Sequence, residues 1–348
     1  MDICIVTGSS GLIGSESAKF FSSKNFKIIG IDNNLRKFFF GKNGDTSWVK
    51  KKMNRELKNY SHFNYDITDK KNISKVFDKY SSNIKLIIHC AAQPSHDWAY
   101  KDPMLDFKTN AEGTLNLLEN FKKYCPKAVF INLSTNKVYG DNPNKLTFIE
   151  KKTRFELSRK HKYFKGIDER MDIQNCIHSL FGVSKLSADL MVQEYGKNFK
   201  LKTVSFRAGC LTGPMHSGAE LHGFLSFLAK QINNKKKYNI FGYKGKQVRD
   251  NLHSYDLVNA FWSFYKKPGI GEIYNIGGSR KSNCSVLEAI GIIENLTGKK
   301  ANFKILNGNR VGDHKWWISD IKKFKNKYPN WNIKYDVPKI IKDILDNQ

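Results

Sequence analysis

Three glycines, Gly8, Gly11 and Gly14, follow the apolar run Cys4-Ile5-Val6-Thr7 and open a helix-patterned stretch beginning at Leu12. No other feature of the chain limits its fold so narrowly. A backbone that leaves a strand, turns tightly through glycines and enters a helix is the first turn of a strand-helix-strand unit, and such units build parallel sheets flanked by helices. The pattern continues as that reading requires. From Ile3 to about Leu133, CIVTG, KIIGID, HFNYD, KLIIHC and AVFINLS read as strands, and helices are expected over 12–24, 70–81, 105–124 and 182–198. The apolar run Thr203-Val204-Ser205-Phe206 carries the parallel core past residue 200. The polar stretches 36–60 and 142–180 read as long loops with some helix.

The glycine spacing also bears on chemistry. Glycines let the backbone approach a pyrophosphate, whose charge meets free N–H groups and the positive end of the helix. The second strand ends in Ile31-Asp32, eighteen residues beyond Gly14, where a carboxylate accepts hydrogen bonds from adenosine ribose hydroxyls and repels a 2′-phosphate. NAD is therefore the expected cofactor, with Gly8, Ser10, Gly11, Leu12, Ile13, Gly14, Asp32 and Asn33 as its contacts. Arg36 and Lys37 nearby are the residues that argue for NADP instead. The expected fold class is α/β: a doubly wound parallel Rossmann sheet over 1–206, and a smaller C-terminal α/β substrate lobe over 207–348 interleaved with it.

Composition mainly excludes. At 348 residues and 40% hydrophobic, the chain buries a substantial core. Its formal charge of +27 is scattered Lys; runs such as Lys50-Lys51-Lys52 and Lys235-Lys236-Lys237 are short, lack interleaved aromatics and read as solvated helix ends, so no nucleic-acid partner is expected. Six cysteines, Cys4, Cys90, Cys125, Cys176, Cys210 and Cys284, show no C-x-x-C pair, which argues against a zinc site and a disulfide scaffold; no metal is expected. The first residues enter a strand directly, and no run of about 18 apolar residues occurs. A cytoplasmic location and no membrane partner are expected.

Further motifs carry a resemblance. Asp66 closes the third strand, Ala91-Ala92 follow the fourth, Asn110 lies in the next helix, and Ser134-Thr135-x-x-Val138-Tyr139-Gly140 follow the fifth. With the glycine spacing these residues resemble the extended short-chain dehydrogenase/reductases, the NAD-dependent epimerase/dehydratase family, over nearly the whole chain. The resemblance implies that Asp66 and Ile67 flank the adenine, that Ala91, Ala92 and Asn110 border the dinucleotide path, and that Thr135 hydrogen-bonds the reacting sugar hydroxyl. The stretches 134–141, Gly166-Ile167-Asp168-Glu169, His178-Ser179 and Gly245-Lys246-Gln247-Val248-Arg249-Asp250 look more specifically like the CDP-tyvelose (CDP-paratose 2-) epimerases. By that likeness the partner is a nucleotide-diphosphate sugar, CDP-linked, held by Gln93, Thr135, Asn136, Arg249, Arg310 and Asp313, with the arginines gripping phosphates. Thr135-Asn136-Lys137 lacks the Asp-Glu that the family's dehydratases carry after the Thr, which disfavours dehydration. The likeness also implies a homodimer paired through the helices over 105–124 and 182–198.

One departure matters. The family's Tyr-x-x-x-Lys appears here as Phe181-Gly182-Val183-Ser184-Lys185: the Lys survives, with its implied role on the nicotinamide ribose, and the phenol is gone. Phe neither takes nor gives a proton. Candidate replacements are Lys185, Tyr163, His178 and His96-Asp97; the His96-Asp97-Trp98 cluster is favoured, because loops leaving the carboxyl ends of strands build the site in such sheets. The expected catalytic set is thus Thr135, Lys185, His96 and position 181. Tyr139 is read as packing or positioning, and Asn275-Ile276-Gly277-Gly278 as structural. Residues 212–218 and 220–223 are expected to shape the sugar pocket, and the Trp316-Trp317 pair offers a stacking face for base or sugar, with at least one Trp in the core. The expected activity is epimerisation at C2 through a transient keto sugar. The alternatives are a nucleotide-sugar dehydrogenase, a C4 epimerase, or a catalytically silent binding protein.

Overall fold

The computed structural model describes residues 1–216, 218, 223–308 and 312–347. Strand β1 (Ile3–Thr7) has all five side chains buried. It runs parallel to β2 (Lys27–Ile31) on one side and β4 (Ile84–His89) on the other. Because Thr7 lies opposite both Ile31 and His89, the residues that follow, Gly8, Asp32 and Cys90, leave the carboxyl edge of the sheet side by side. With β3 (Tyr60–Phe63), β5 (Val129–Thr135), β6 (Lys202–Ala208) and β7 (Glu272–Ile276), the sheet has seven strands in the order β3-β2-β1-β4-β5-β6-β7. The order reverses at β1 and β4, the point where doubly wound sheets bind ligands.

Local chemistry accounts for the helices. α1 (Leu12–Ser22) begins at Gly11 with no side chain capping it. α2 (Lys70–Tyr80) is capped by Asp69, whose carboxylate accepts from the Asn72 N–H at 3.0 Å, and it buries Ile73, Val76, Phe77 and Tyr80 at helical spacing. The helix expected over 105–124 is three pieces. α4 (Pro103–Phe107) follows the short α3 (His96–Lys101), a π-helical turn spans Lys108–Glu112, and α5 (Gly113–Tyr124) completes it. The π turn buries Thr109, Asn110 and Ala111. α6 (Ser179–Phe199) carries Phe181 and Lys185. Of the two polar stretches, 36–60 holds the helix Ser47–Glu56, while 142–180 contains one small hairpin, Ile149–Glu150 with Phe155–Glu156.

The chain divides into two compact units, each built from three segments. The first comprises Met1–Val138, Leu180–Arg207 and Val258–Tyr274. Its core packs Ile3, Ile5, Ile29, Ile87, Leu117, Phe121 and Phe130, and a buried ion pair joins Arg207 to Asp189 at 2.8 Å. The second comprises Tyr139–Ser179, Ala208–Leu257 and Asn275–Gln348. There the strand Val248–His253 pairs antiparallel with Asn283–Ser285 and parallel with Trp316–Trp317 and Cys210–Thr212. Lys237–Phe241 pairs with Asn302–Leu306, and the helix Val286–Thr297 starts at a Ser285/Glu288 capping box.

Candidate active site

The glycine turn and the carboxyl edge of the sheet around it are built by the first unit. Gly8 has φ +66°, and a Cβ there would sit 2.7 Å from the Ala91 nitrogen; a Cβ on Gly14 would sit 2.0 Å from the Gly8 carbonyl oxygen. Only glycine fits this cradle, and α1 starts with no side chain capping its first-turn N–H groups. Asp32, half-buried, accepts from the Ser10 N–H at 3.0 Å and the Asn34 N–H at 2.7 Å, which locks its carboxylate at the end of β2. Asn33 donates to Asp66 at 3.0 Å, and Asp66 also accepts from the Thr68 N–H and hydroxyl. Ile13 and Ile67 are buried, whereas Leu12, Ala91 and Ala92 are half-buried. Of the two cations that argued for NADP, Lys37 is paired with Asp45 at 3.2 Å and the Arg36 guanidinium lies over the Phe40 ring at 4.7 Å. Glycine cradle, open helix end and fixed carboxylate together fit a dinucleotide without a 2′-phosphate.

The groups expected to carry chemistry gather at the ends of β4 and β5 and on α6. Thr135 closes β5; its Oγ1 accepts from the Lys137 N–H at 3.3 Å, and the buried Asn136 follows it. Lys185 is buried and donates to the Leu133 carbonyl at 3.0 Å. Burial pulls its ammonium down to about 8, against the opposing pull of Cys90, Asp189 and Asp106. Burial likewise pushes the Cys90 thiol up to about 12 and His89 down to about 3. His89 is thus a neutral ring, bridging Thr7 Oγ1 at 2.7 Å and Thr114 Oγ1 at 2.9 Å. Phe181 is buried, and the His96 ring meets it edge-to-face with centroids 4.8 Å apart.

A buried polar network fixes the loop after β4. The Gln93 amide donates to Asp106 at 2.7 Å and to the Ser95 carbonyl at 2.8 Å, while the Gln93 N–H donates to Asn110 Oδ1 at 2.9 Å. Asn110 in turn donates to Ser184 Oγ at 3.0 Å, and Ser184 to the Phe181 carbonyl at 3.0 Å. Gln93 and Asn110 are both nearly inaccessible, so their side chains brace this corner from inside.

In the second unit, Arg249 is buried and donates to Asp313 at 2.5 Å and to the Val248 carbonyl at 2.7 Å. Burial opposes its charge, but Asp313 beside it holds the guanidinium above its ordinary value. Arg310 lies outside the described residues, as do Ser217 and 220–222. Tyr139 packs: its hydroxyl donates to Asn275 at 2.8 Å and its ring stacks on Trp317. His178 Nε2 lies 2.7 Å from the Ile173 carbonyl and 3.3 Å from Cys176 Sγ, and Tyr163 belongs to the same unit. The Trp316-Trp317 pair offers no stacking face. Both rings are fully buried, with indole N–H groups donating to Glu156 and Ser319, on a strand paired parallel with Val248–His253. Gly277 is structural, since a Cβ there would meet Asp250 Oδ2 at 2.2 Å. Among the described residues, no cluster of three or more His, Cys, Asp or Glu is placed to hold a metal, and no helix is long and apolar enough to cross a membrane.

A model of the NAD dependent epimerase/dehydratase family matches residues 4–277. The chain belongs to that family. A CDP-paratose 2-epimerase from Salmonella typhi is 30% identical over 349 residues, spanning 98% of this chain and 98% of its own. A UDP-glucuronate 4-epimerase from Thermodesulfobacterium geofontis is 28% identical over 95% of this chain and 91% of its own. Among solved structures, a Tyr-to-Phe mutant of a UDP-glucuronic acid 4-epimerase from Bacillus cereus, in complex with UDP-4-deoxy-4-fluoro-glucuronic acid and NAD, superposes with a TM-score of 0.79 at 25% identity. It covers 100% of this chain and 98% of that one. The chain is accordingly an NAD-dependent member of a nucleotide-sugar epimerase/dehydratase family.

The residues that sequence reading missed are the braces Ser95, Asp106 and Ser184, and the ion pair of Asp189 with Arg207. Asn110 and Ser184 stand 74 positions apart in the chain, and no local pattern signals such a pairing.

Proposed function

We propose that the chain is a nucleotide-sugar C2 epimerase, with a CDP-linked sugar as its substrate. The observation that carries this reading is the end-to-end similarity to a CDP-paratose 2-epimerase, 30% over 98% of both chains. Absence of an Asp-Glu pair after Thr135 weighs against dehydration, since Asn136-Lys137 puts no carboxylic acid there to protonate a leaving hydroxyl. NAD, when bound, would supply a two-electron hydride acceptor and donor for the sugar carbon. The chain's own residues hold and orient. Asp32 binds the adenosine ribose, the glycine cradle and the α1 N-terminus bind the pyrophosphate, and Lys185 binds the nicotinamide ribose. Thr135 hydrogen-bonds the reacting hydroxyl. Arg249, steadied by Asp313, and Arg310 grip the sugar diphosphate.

A second copy is the proposed partner. Met104, Phe107 and Leu115 on α4 and α5, and Leu180, Val183 and Leu190 on α6, expose apolar side chains on the two helices that a homodimer would pair. The proposed setting is cytoplasmic synthesis of polysaccharide precursors.

The test is to denature the purified protein, identify released NAD by mass spectrometry, and incubate native protein with CDP-, UDP-, GDP- and dTDP-sugars. The expected result is an epimer at C2 of one CDP-sugar, formed without added NAD. NADH accumulating in step with substrate would make the chain a dehydrogenase, and a product inverted at C4 would move the reaction to that carbon. Every sugar returned unchanged would leave a binding protein.

A further inference from the structure

Phe181 removes the phenolic proton carrier from α6, yet three features of the same unit set another group beside it. His96 opens α3 in the loop after β4, with its ring against the Phe181 ring at 4.8 Å. Ser95 caps that helix, accepting from the Trp98 N–H at 3.3 Å, which sets where His96 emerges. The loop is also tied to α6 itself, through Gln93, Asn110 and Ser184 to the Phe181 carbonyl. The contact between imidazole and Phe181 is therefore braced from the buried side.

The neighbouring groups are poor acceptors. Lys185 keeps its proton below about 8 and directs its ammonium at the Leu133 carbonyl. Burial holds Cys90 as a thiol, up to about 12. Asp106 is buried, and one of its oxygens already accepts from Gln93 and Asn110. An imidazole takes up a proton on one ring nitrogen and gives it back, which the two halves of an epimerisation require.

We propose that His96 is the catalytic proton carrier of this site, standing in for the absent tyrosine; the proposal rests on the epimerase reading above. In the oxidising half, the sugar O–H bond breaks and its proton passes to an imidazole nitrogen of His96, while the carbon's hydrogen leaves with its electron pair to NAD. In the reducing half, the proton returns from His96 to oxygen and the hydrogen with its pair to the other face of the carbon. Atoms, charge and electrons are restored at the end of the cycle. Phe181 packs edge-to-face against the imidazole.

The experiment compares wild type, His96→Asn, Phe181→Tyr and the double variant on the sugar that wild type converts, with NAD and CDP-glucose binding measured by calorimetry. His96→Asn is expected to lose roughly 10²–10⁴-fold in turnover with binding retained, and the double variant to recover at least about tenfold of it. In parallel, the imidazole resonance that disappears in both His96→Asn and His96→Gln is followed as CDP-glucose is added to the NAD-loaded protein, and it is expected to shift. Turnover in His96→Asn within a few-fold of wild type, or an unmoved resonance, would overturn the role of His96 while leaving the epimerase reading intact. A wild type that is silent while Phe181→Tyr is active would also overturn it. Silence of both would sink the epimerase reading itself, and the role of His96 with it.

Discussion

Lys185 offers the sharpest physical test, because its ammonium is held inside the protein at a cost. Burial lowers its value from 10.5 to about 8, the nearby Cys90, Asp189 and Asp106 only partly compensating. At about 1.4 kcal/mol per pH unit, the difference between folded and unfolded chains is on the order of 3 kcal/mol. The sign follows from proton counting. Between about pH 8 and pH 10.5 the unfolded chain holds the Lys185 proton and the folded chain releases it, so stability from this residue rises with pH across that window. It is fully present above 10.5 and lost as pH falls through about 8. Lys185→Met removes the titration without removing the stem. Urea unfolding of wild type and Lys185→Met, followed by tryptophan fluorescence at about pH 7 and about pH 10, isolates the effect, because other titrating groups cancel in the difference. Relative to wild type, the variant is expected to be more stable at the lower pH than at the higher by on the order of 3 kcal/mol. A difference that stays flat, or grows in wild type's disfavour as pH rises, would refute the claim that burial governs this residue.

Gly14→Ala places a methyl 2.0 Å from the Gly8 carbonyl, whereas Gly11→Ala places one at 3.3 Å; mass spectrometry of the denatured proteins should find NAD lost from the first and better retained in the second. Asp189→Ala strands the Arg207 guanidinium in the core and should cost about 3–5 kcal/mol, seen as a lowered Tm, while Asp189→Leu with Arg207→Met should recover more than half of that. A double variant no more stable than Asp189→Ala would contradict it.

The parallel core was legible in the sequence because its signals are local. Apolar runs such as Cys4 to Thr7 and Leu86 to His89 are strands in the structure, and the glycine triplet lies at the turn where the pattern placed it. What local pattern hides is pairing across distance. The helix expected over 105–124 is broken by a π turn because Asn110 must reach inward to Gln93 and Ser184, a demand that no amphipathic period records. The Trp316-Trp317 pair divides in a related way: the expected core Trp is there, both indoles in fact, while the stacking face is not, and the pairing with Val248–His253 that goes with this burial lies nearly seventy positions away. At the candidate site the sequence offers His96 as a substitute for the missing phenol only through its place in a loop after a strand, and the fold adds the distance: its ring lies 4.8 Å from Phe181, 85 positions later in the chain.

The sheet's strand order sets a timetable for how the protein is made. β1 to β5 are complete once residue 135 has been synthesised, but β6 ends at Ala208 and its outer neighbour β7 only at Ile276. A nascent chain released from the ribosome tunnel in order therefore carries β6 as a bare edge, with unpaired N–H and C=O groups, through the synthesis of nearly seventy further residues. Chaperone demand during synthesis should peak over that interval. A fragment ending near residue 207 should be prone to edge-to-edge association, even though it contains every residue of the glycine cradle.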